Sequence, residues 1–160
     1  MLVCFSLGRA HRRNSVATLL FLLGMIVLLP QSAGSTDSNN FVTAQASHTK
    51  STLMSIQFPT PQNGWVVGTG GTILKTTDGG KKWKRVVSGT STLLTSVFFA
   101  DSLKGWVTGA GGFLSRTSNG GESWLPQHLD TQQALYAVYF TSSDVGWVVG
   151  GAGTILRTTD

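Results

Sequence analysis

The stretch GWVVGTGGTILKTTDGGKKW, Gly64 to Trp83, decides the fold. It places six glycines, two tryptophans and a single aspartate in twenty residues. Glycine at that density opposes a helix, since each interior glycine costs about 1 kcal/mol relative to alanine. A catalytic loop and a recurring structural unit are both compatible with it, and the flanking sequence separates the two. Gly64-Trp65 returns as Gly105-Trp106 and again as Gly146-Trp147, 41 residues apart each time. Phe58, Phe99 and Phe140 keep the interval, as do Lys75, Arg116 and Arg157, and also Asp78, Asn119 and Asp160. Trp83 is answered by Trp124; Ile73 and Ile155 are related through Phe113, one place out of register. Fixed offsets on a period near 40 define a repeat architecture.

Inside one period the apolar residues alternate with period two rather than 3.6. TSVFFAD, GWVTGA, GFLSRTS and SWLPQHL read as four successive short strands, separated by the turn-forming DSLKG, AGG and SNGGE. Four strands in about 40 residues make one blade of a β-propeller, which buries its faces only against neighbouring blades. The Asp-Gly-Gly element gains a mechanical role in this frame. The carboxylate of Asp78, or the amide oxygen of Asn119, accepts backbone N–H groups in the turn between third and fourth strands. Gly80 and Gly121 supply the positive φ angles the turn demands, and Trp83 and Trp124 pack back beneath it.

TTDGGKKW (Thr76 to Trp83) and TSNGGESW (Thr117 to Trp124) resemble the Asp-box, S/T-x-D-x-G-x-T-W, of sialidases, sortilin-type receptors, some glycoside hydrolases and photosystem II stability/assembly factors. Lys82 stands where the pattern has threonine, and Asn119 keeps the acceptor while losing the charge. Taken with SVFF and GWVTGAGG, the longer phrase is most similar to the photosystem II factor-like propellers, over Met54 to Asp160. The resemblance implies an all-β, seven-bladed ring of roughly 41-residue blades. Of these the chain holds two copies and the first part of a third, because Asp160 is an Asp-box position without its Gly-Gly and tryptophan. It also implies a lumenal propeller that binds an unassembled membrane-protein subunit.

The N-terminus reads differently. Arg9, Arg12 and Arg13 precede the uncharged VATLLFLLGMIVLL, Val16 to Leu29, and small residues follow. Those are the parts of a secretory signal peptide spanning 1–34, with an uncleaved anchor as the alternative. The apolar run is shorter than the roughly 20 residues a membrane span needs. Cleavage leaves nine Lys plus Arg against seven Asp plus Glu, a net of +2, and removes Cys4, the sole cysteine. An exported chain is expected, in the periplasm, the thylakoid lumen or at the cell surface. It has no disulfide and no cysteine-based metal site, and nothing in its charge invites nucleic acid. Any membrane contact would come through the signal or anchor. The domain reading is an N-terminal segment 35–53 containing an outer closing strand, blade repeats 54–94 and 95–135, and a partial repeat 136–160. Phe41 to Phe58, moved forward one period, aligns with the fourth strand of a blade.

Three functions are compatible with these features. A non-enzymatic scaffold binding a protein partner uses the recurrent Lys75, Arg116 and Arg157 as a row of positive charge for an acidic segment; their bland role is to end the third strand and extend into solvent. A glycoside hydrolase or sialidase needs paired carboxylates or an arginine cluster. The acids are few (Asp37, Asp78, Asp101, Glu122, Asp130, Asp144 and Asp160), so its catalytic residues would have to lie in further blades. A sortilin-like receptor would bring disulfides and a membrane helix. No catalytic residue, cofactor or metal ligand is assigned. His48 and His128 are isolated, GTGG and GAGG are blade turns rather than dinucleotide loops, and KKWKR, Lys81 to Arg85, reads as a solvated strand edge, with a partner site as the alternative.

Overall fold

The computed structural model describes residues 42–159. The expected signal peptide, 1–34, lies outside them, as do residues 35–41 and Asp160. Among the described residues eleven strands form three antiparallel sheets. The first sheet is β1 (Leu53–Gln57), β2 (Gly64–Gly68), β3 (Thr72–Thr76) and β4 (Lys84–Val86). The second is β5 (Leu94–Phe99), β6 (Gly105–Gly109), β7 (Leu114–Thr117) and β8 (Leu125–Gln127). The third is β9 (Leu135–Phe140), β10 (Gly146–Gly150) and β11 (Ile155–Thr158). Strand order follows chain order in every sheet, so each is a meander. Adjacent sheets meet chiefly at their first strands, β1 on β5 and β5 on β9. This is an all-β array of four-stranded propeller blades, the third represented by three strands.

One stacked unit repeats at each seam between sheets. Trp65 of β2 lies on the ring of Phe99 in β5, centroids 3.8 Å apart and 19° from parallel. Trp106 of β6 lies on Phe140 of β9 at 3.6 Å and 17°. The opposite face of each phenylalanine covers the glycine paired with it across its own sheet, Phe99 against Gly105 and Phe140 against Gly146. A Cβ built on Gly105 would fall 2.6 Å from the Phe99 ring carbons, well inside the roughly 3.5–4.0 Å of carbon contact. The Gly-Trp pair is therefore one packing device: the glycine makes room for the phenylalanine of its own blade, and the tryptophan reaches the phenylalanine of the next.

Around each stack a small core assembles. Trp65, Val67, Ile73, Leu94, Val97, Phe99 and Val107 fill the first seam, and Leu135, Val138, Phe140 and Val148 the second. Leu114 takes in the second seam the place Ile73 holds in the first, and Phe113 packs back into the first. The sequence pairing of Ile73 with Phe113 is thus corrected by one residue, because β6 pairs Thr108 with Leu114 as β2 pairs Val67 with Ile73. Polar links join the seams. Gln57 bonds the backbone N–H and C=O of Phe99, and Ser55 and Ser96 accept the N–H of Val97 and Val138, both at 3.4 Å.

No strand runs through residues 42–52. The end of this segment packs on the first sheet instead, with the Thr72 hydroxyl of β3 donating to Ser51 Oγ at 2.8 Å and the Thr69 N–H to the Thr52 carbonyl at 2.9 Å.

Candidate functional site

The turns after β3 and β7 are alike atom for atom. Thr76 Oγ1 donates to Asp78 Oδ1 at 2.8 Å and accepts the N–H groups of Asp78 and Gly80, while Asp78 Oδ1 accepts the Lys82 N–H at 2.9 Å. Thr117, Asn119, Gly121 and Ser123 repeat the set at 2.9, 3.3, 3.0 and 3.1 Å. An amide oxygen thus serves as well as a carboxylate, and Asn119 adds a bond from Nδ2 to Ser123 Oγ at 2.9 Å. Gly80 and Gly121 sit at φ +88° and +77°, each against the indole that follows. Trp83 and Trp124 then meet Phe58 and Phe99 edge-on, both at 5.9 Å and 82°. The backbone N–H of Lys82 and the Thr76 hydroxyl hold the Asp78 carboxyl below its ordinary pKa. Asp101 is lowered in the same way by the N–H groups of Lys104 and Leu103. Both acids are held ionised as turn acceptors, the reverse of what a general acid requires.

The three recurrent cations share one register. Lys75, Arg116 and Arg157 lie in register with Trp65, Trp106 and Trp147 on the neighbouring strand. Lys75 Nζ stands 5.5 Å above the Trp65 ring and Arg157 Cζ 5.7 Å above that of Trp147, cation–π geometry in both cases. Lys75 is half-buried where the first sheet meets the turn of the second, whose Gly120 carbonyl accepts Trp65 Nε1–H at 3.3 Å. Arg116 and Arg157 are exposed.

Two clefts follow the seams. One, of about 540 Å³, brings Arg116 and Arg157 together with Lys104, Trp106, His128 and Asp144. The other, of about 680 Å³, gathers Lys75, Lys82, Lys84 and Arg85 with Glu122. The structure therefore divides the sequence-level row of three: Arg116 and Arg157 share a cleft, and Lys75 lies in the next one. Lys82, Lys84 and Arg85, which read in the sequence as a solvated edge or a partner site, line the same groove as Lys75. The signal that could have placed the cations was the ten-residue spacing from each Gly-Trp tryptophan to its Lys or Arg. Among the described residues the one ion pair is His128 with Asp130, 3.8 Å apart and fully exposed. No group of three or more His, Cys, Asp or Glu that could hold a metal occurs among the described residues.

Comparison with known proteins places this geometry. The family described as photosynthesis system II assembly factor YCF48 matches residues 35–133. The structure titled "YCF48 bound to D1 peptide" is 27% identical with a TM-score of 0.64, covering 70% of this chain and 38% of that one. YCF48 from Cyanidioschyzon merolae is 27% identical with a TM-score of 0.63, covering 69% and 38%. The chain thus spans less than two fifths of the length of these relatives. A GH74 enzyme from Niastella koreensis, 18% identical with a TM-score of 0.55 over 68% of this chain and 21% of its own, shares the fold. No curated protein matches by sequence. The family match extends over more than half of the residues, and the chain belongs to the family of the photosynthesis system II assembly factor YCF48.

Proposed function

We propose that this chain is a non-enzymatic propeller scaffold that binds a segment of an unassembled membrane-protein subunit. The observation that carries the reading is the pair of basic clefts at the seams, one lined by Trp106 and the other by Trp83. Such a surface offers an extended acidic peptide both charge and an aromatic floor. The resemblance to YCF48, one structure of which is bound to a D1 peptide, supports a peptide of that kind as the ligand. The turns at Asp78 and Asn119 are Asp-boxes in this reading and serve structure alone. Residues 1–34 act as an export signal or anchor, so that the propeller works in the periplasm, the thylakoid lumen or at the cell surface.

The test is titration of a fluorescent acidic peptide onto the chain at two salt concentrations. Charge reversal at Arg116 and Lys84, both exposed, should weaken binding at least tenfold and flatten its salt dependence. Unchanged affinity in both variants would refute the assignment of the clefts.

A further inference from the structure

One row of side chains crosses the first sheet as Trp65, Lys75 and Lys84, which stand opposite one another on β2, β3 and β4. In the second sheet the same row is Trp106, Arg116 and Leu125. Opposed residues of an antiparallel pair share a face, with Cβ atoms about 4.5–5.5 Å apart. The second sheet therefore sets its cation beside an aliphatic side chain, and the first sets its cation beside another cation. Like charges directly opposite destabilise a sheet. The second repeat shows that leucine fits this position, so the blade itself has no need of Lys84.

Nothing within the fold neutralises the pair. Both lysines line the cleft of about 680 Å³ between β4 and the turn of the second sheet. Asp78 and Glu122 line it too, but Asp78 Oδ1 is engaged by the Thr76 hydroxyl and the Lys82 N–H. Among the described residues no ion pair joins either acid to a lysine. Lys75 is half-buried with its ammonium 5.5 Å above the Trp65 ring, while Lys84 is exposed. One ammonium is thus held in place before any ligand arrives, and the second stands beside it in water.

We infer that Lys75 and Lys84 form a clamp for one side-chain carboxylate of the acidic peptide, and that the first sheet gives up stability to keep it. Resting on the function proposed above, the clamp is the place where the peptide's charge is read. A carboxylate has two oxygens and accepts from both ammonium groups at once, so its arrival replaces one repulsion by two attractions. Lysine on an outer strand has another use, guarding the edge against pairing with other chains. A guard acts by itself, whereas the clamp works through the charge that Lys84 sets beside Lys75.

Lys84→Gln and Lys84→Arg in the full 160-residue chain separate the two roles. In low salt Lys84→Gln should unfold roughly 1–4 °C above the wild type. The gap should close near 1 M salt, where the Debye length is about 3 Å. The same variant should bind a fluorescein-labelled peptide of alternating glutamate and alanine about tenfold more weakly. Lys84→Arg should return both values to those of the wild type, and amidating the peptide's C-terminus should leave affinity unchanged. A Lys84→Gln chain that unfolds at or below the wild-type temperature in low salt would overturn the clamp. Affinity lost on amidation would hand the clamp to the terminal carboxylate and overturn the side-chain assignment. A wild-type chain that leaves the peptide unbound defeats the function proposed above and the clamp with it; binding that Lys84→Gln does not weaken defeats the clamp alone.

Discussion

Replacing Gly105 with alanine tests the packing device on which every seam depends. The added methyl would lie 2.6 Å from Cδ1 and Cε1 of Phe99, so the ring must withdraw by about 1 Å to reach ordinary carbon contact. It has nowhere to go, because the Trp65 indole lies flat on its far side at 3.8 Å and Trp124 meets it edge-on at 5.9 Å. Overpacking a tight core costs about 1–3 kcal/mol, and with the ring held on two sides the upper half of that range, about 2–3 kcal/mol, is expected. At a urea dependence of about 1–3 kcal/mol per molar, the unfolding midpoint falls by roughly 1 M. Phe99→Leu opens the space the methyl needs. The double variant should therefore be less destabilised than the sum of the singles by about 1 kcal/mol or more, beyond the roughly 0.3–0.5 kcal/mol scatter of independent sites. Gly111→Ala is the control: it has φ +66° and nothing within 4 Å of its Cβ, so its cost of about 1–2 kcal/mol comes from backbone strain alone and should add to Phe99→Leu without coupling. Urea unfolding followed by tryptophan fluorescence and circular dichroism measures the wild type, the three single variants and the two doubles. A Gly105→Ala cost under about 0.5 kcal/mol, or strict additivity with Phe99→Leu, would refute the packing account.

Further outcomes follow from the turns and the core. Asp78 and Asp101 have folded pKa values below the ordinary one, so their contribution is complete above about pH 4 and is lost as pH falls through the lower folded values. Asp78→Asn keeps the acceptor, as Asn119 shows, and should flatten the acid limb of an unfolding-midpoint profile; an unchanged limb would deny Asp78 that role. Ala152 adopts φ +50° where Gly70 and Gly111 stand in the other repeats. Ala152→Gly should raise stability by about 0.5–1 kcal/mol, the left-handed strain relieved less the extra unfolded-chain entropy of glycine, as read from thermal unfolding. Ser115 Oγ is buried without a hydrogen-bond partner at the position of Leu74 and Leu156. Ser115→Ala should stabilise by about 1 kcal/mol, and a loss of stability would mean that the hydroxyl is satisfied.

The sequence by itself determined the period, the strands within it and the Asp-Gly-Gly turn. Each of these is local: strand alternation is read over a few residues, and the turn needs only Thr76, Asp78, Gly80 and Lys82 within seven positions. The tertiary structure alone decided what holds one repeat to the next. Trp65 stacks on Phe99, 34 residues away, a relation between two different columns of the repeat that no single recurring offset displays. It likewise decided that Lys84 joins Lys75 in a groove and that Arg116 belongs with Arg157. The cause is the stacking of the sheets: side chains meet across a seam by the rotation between blades, and that rotation is a property of packed faces rather than of residue order.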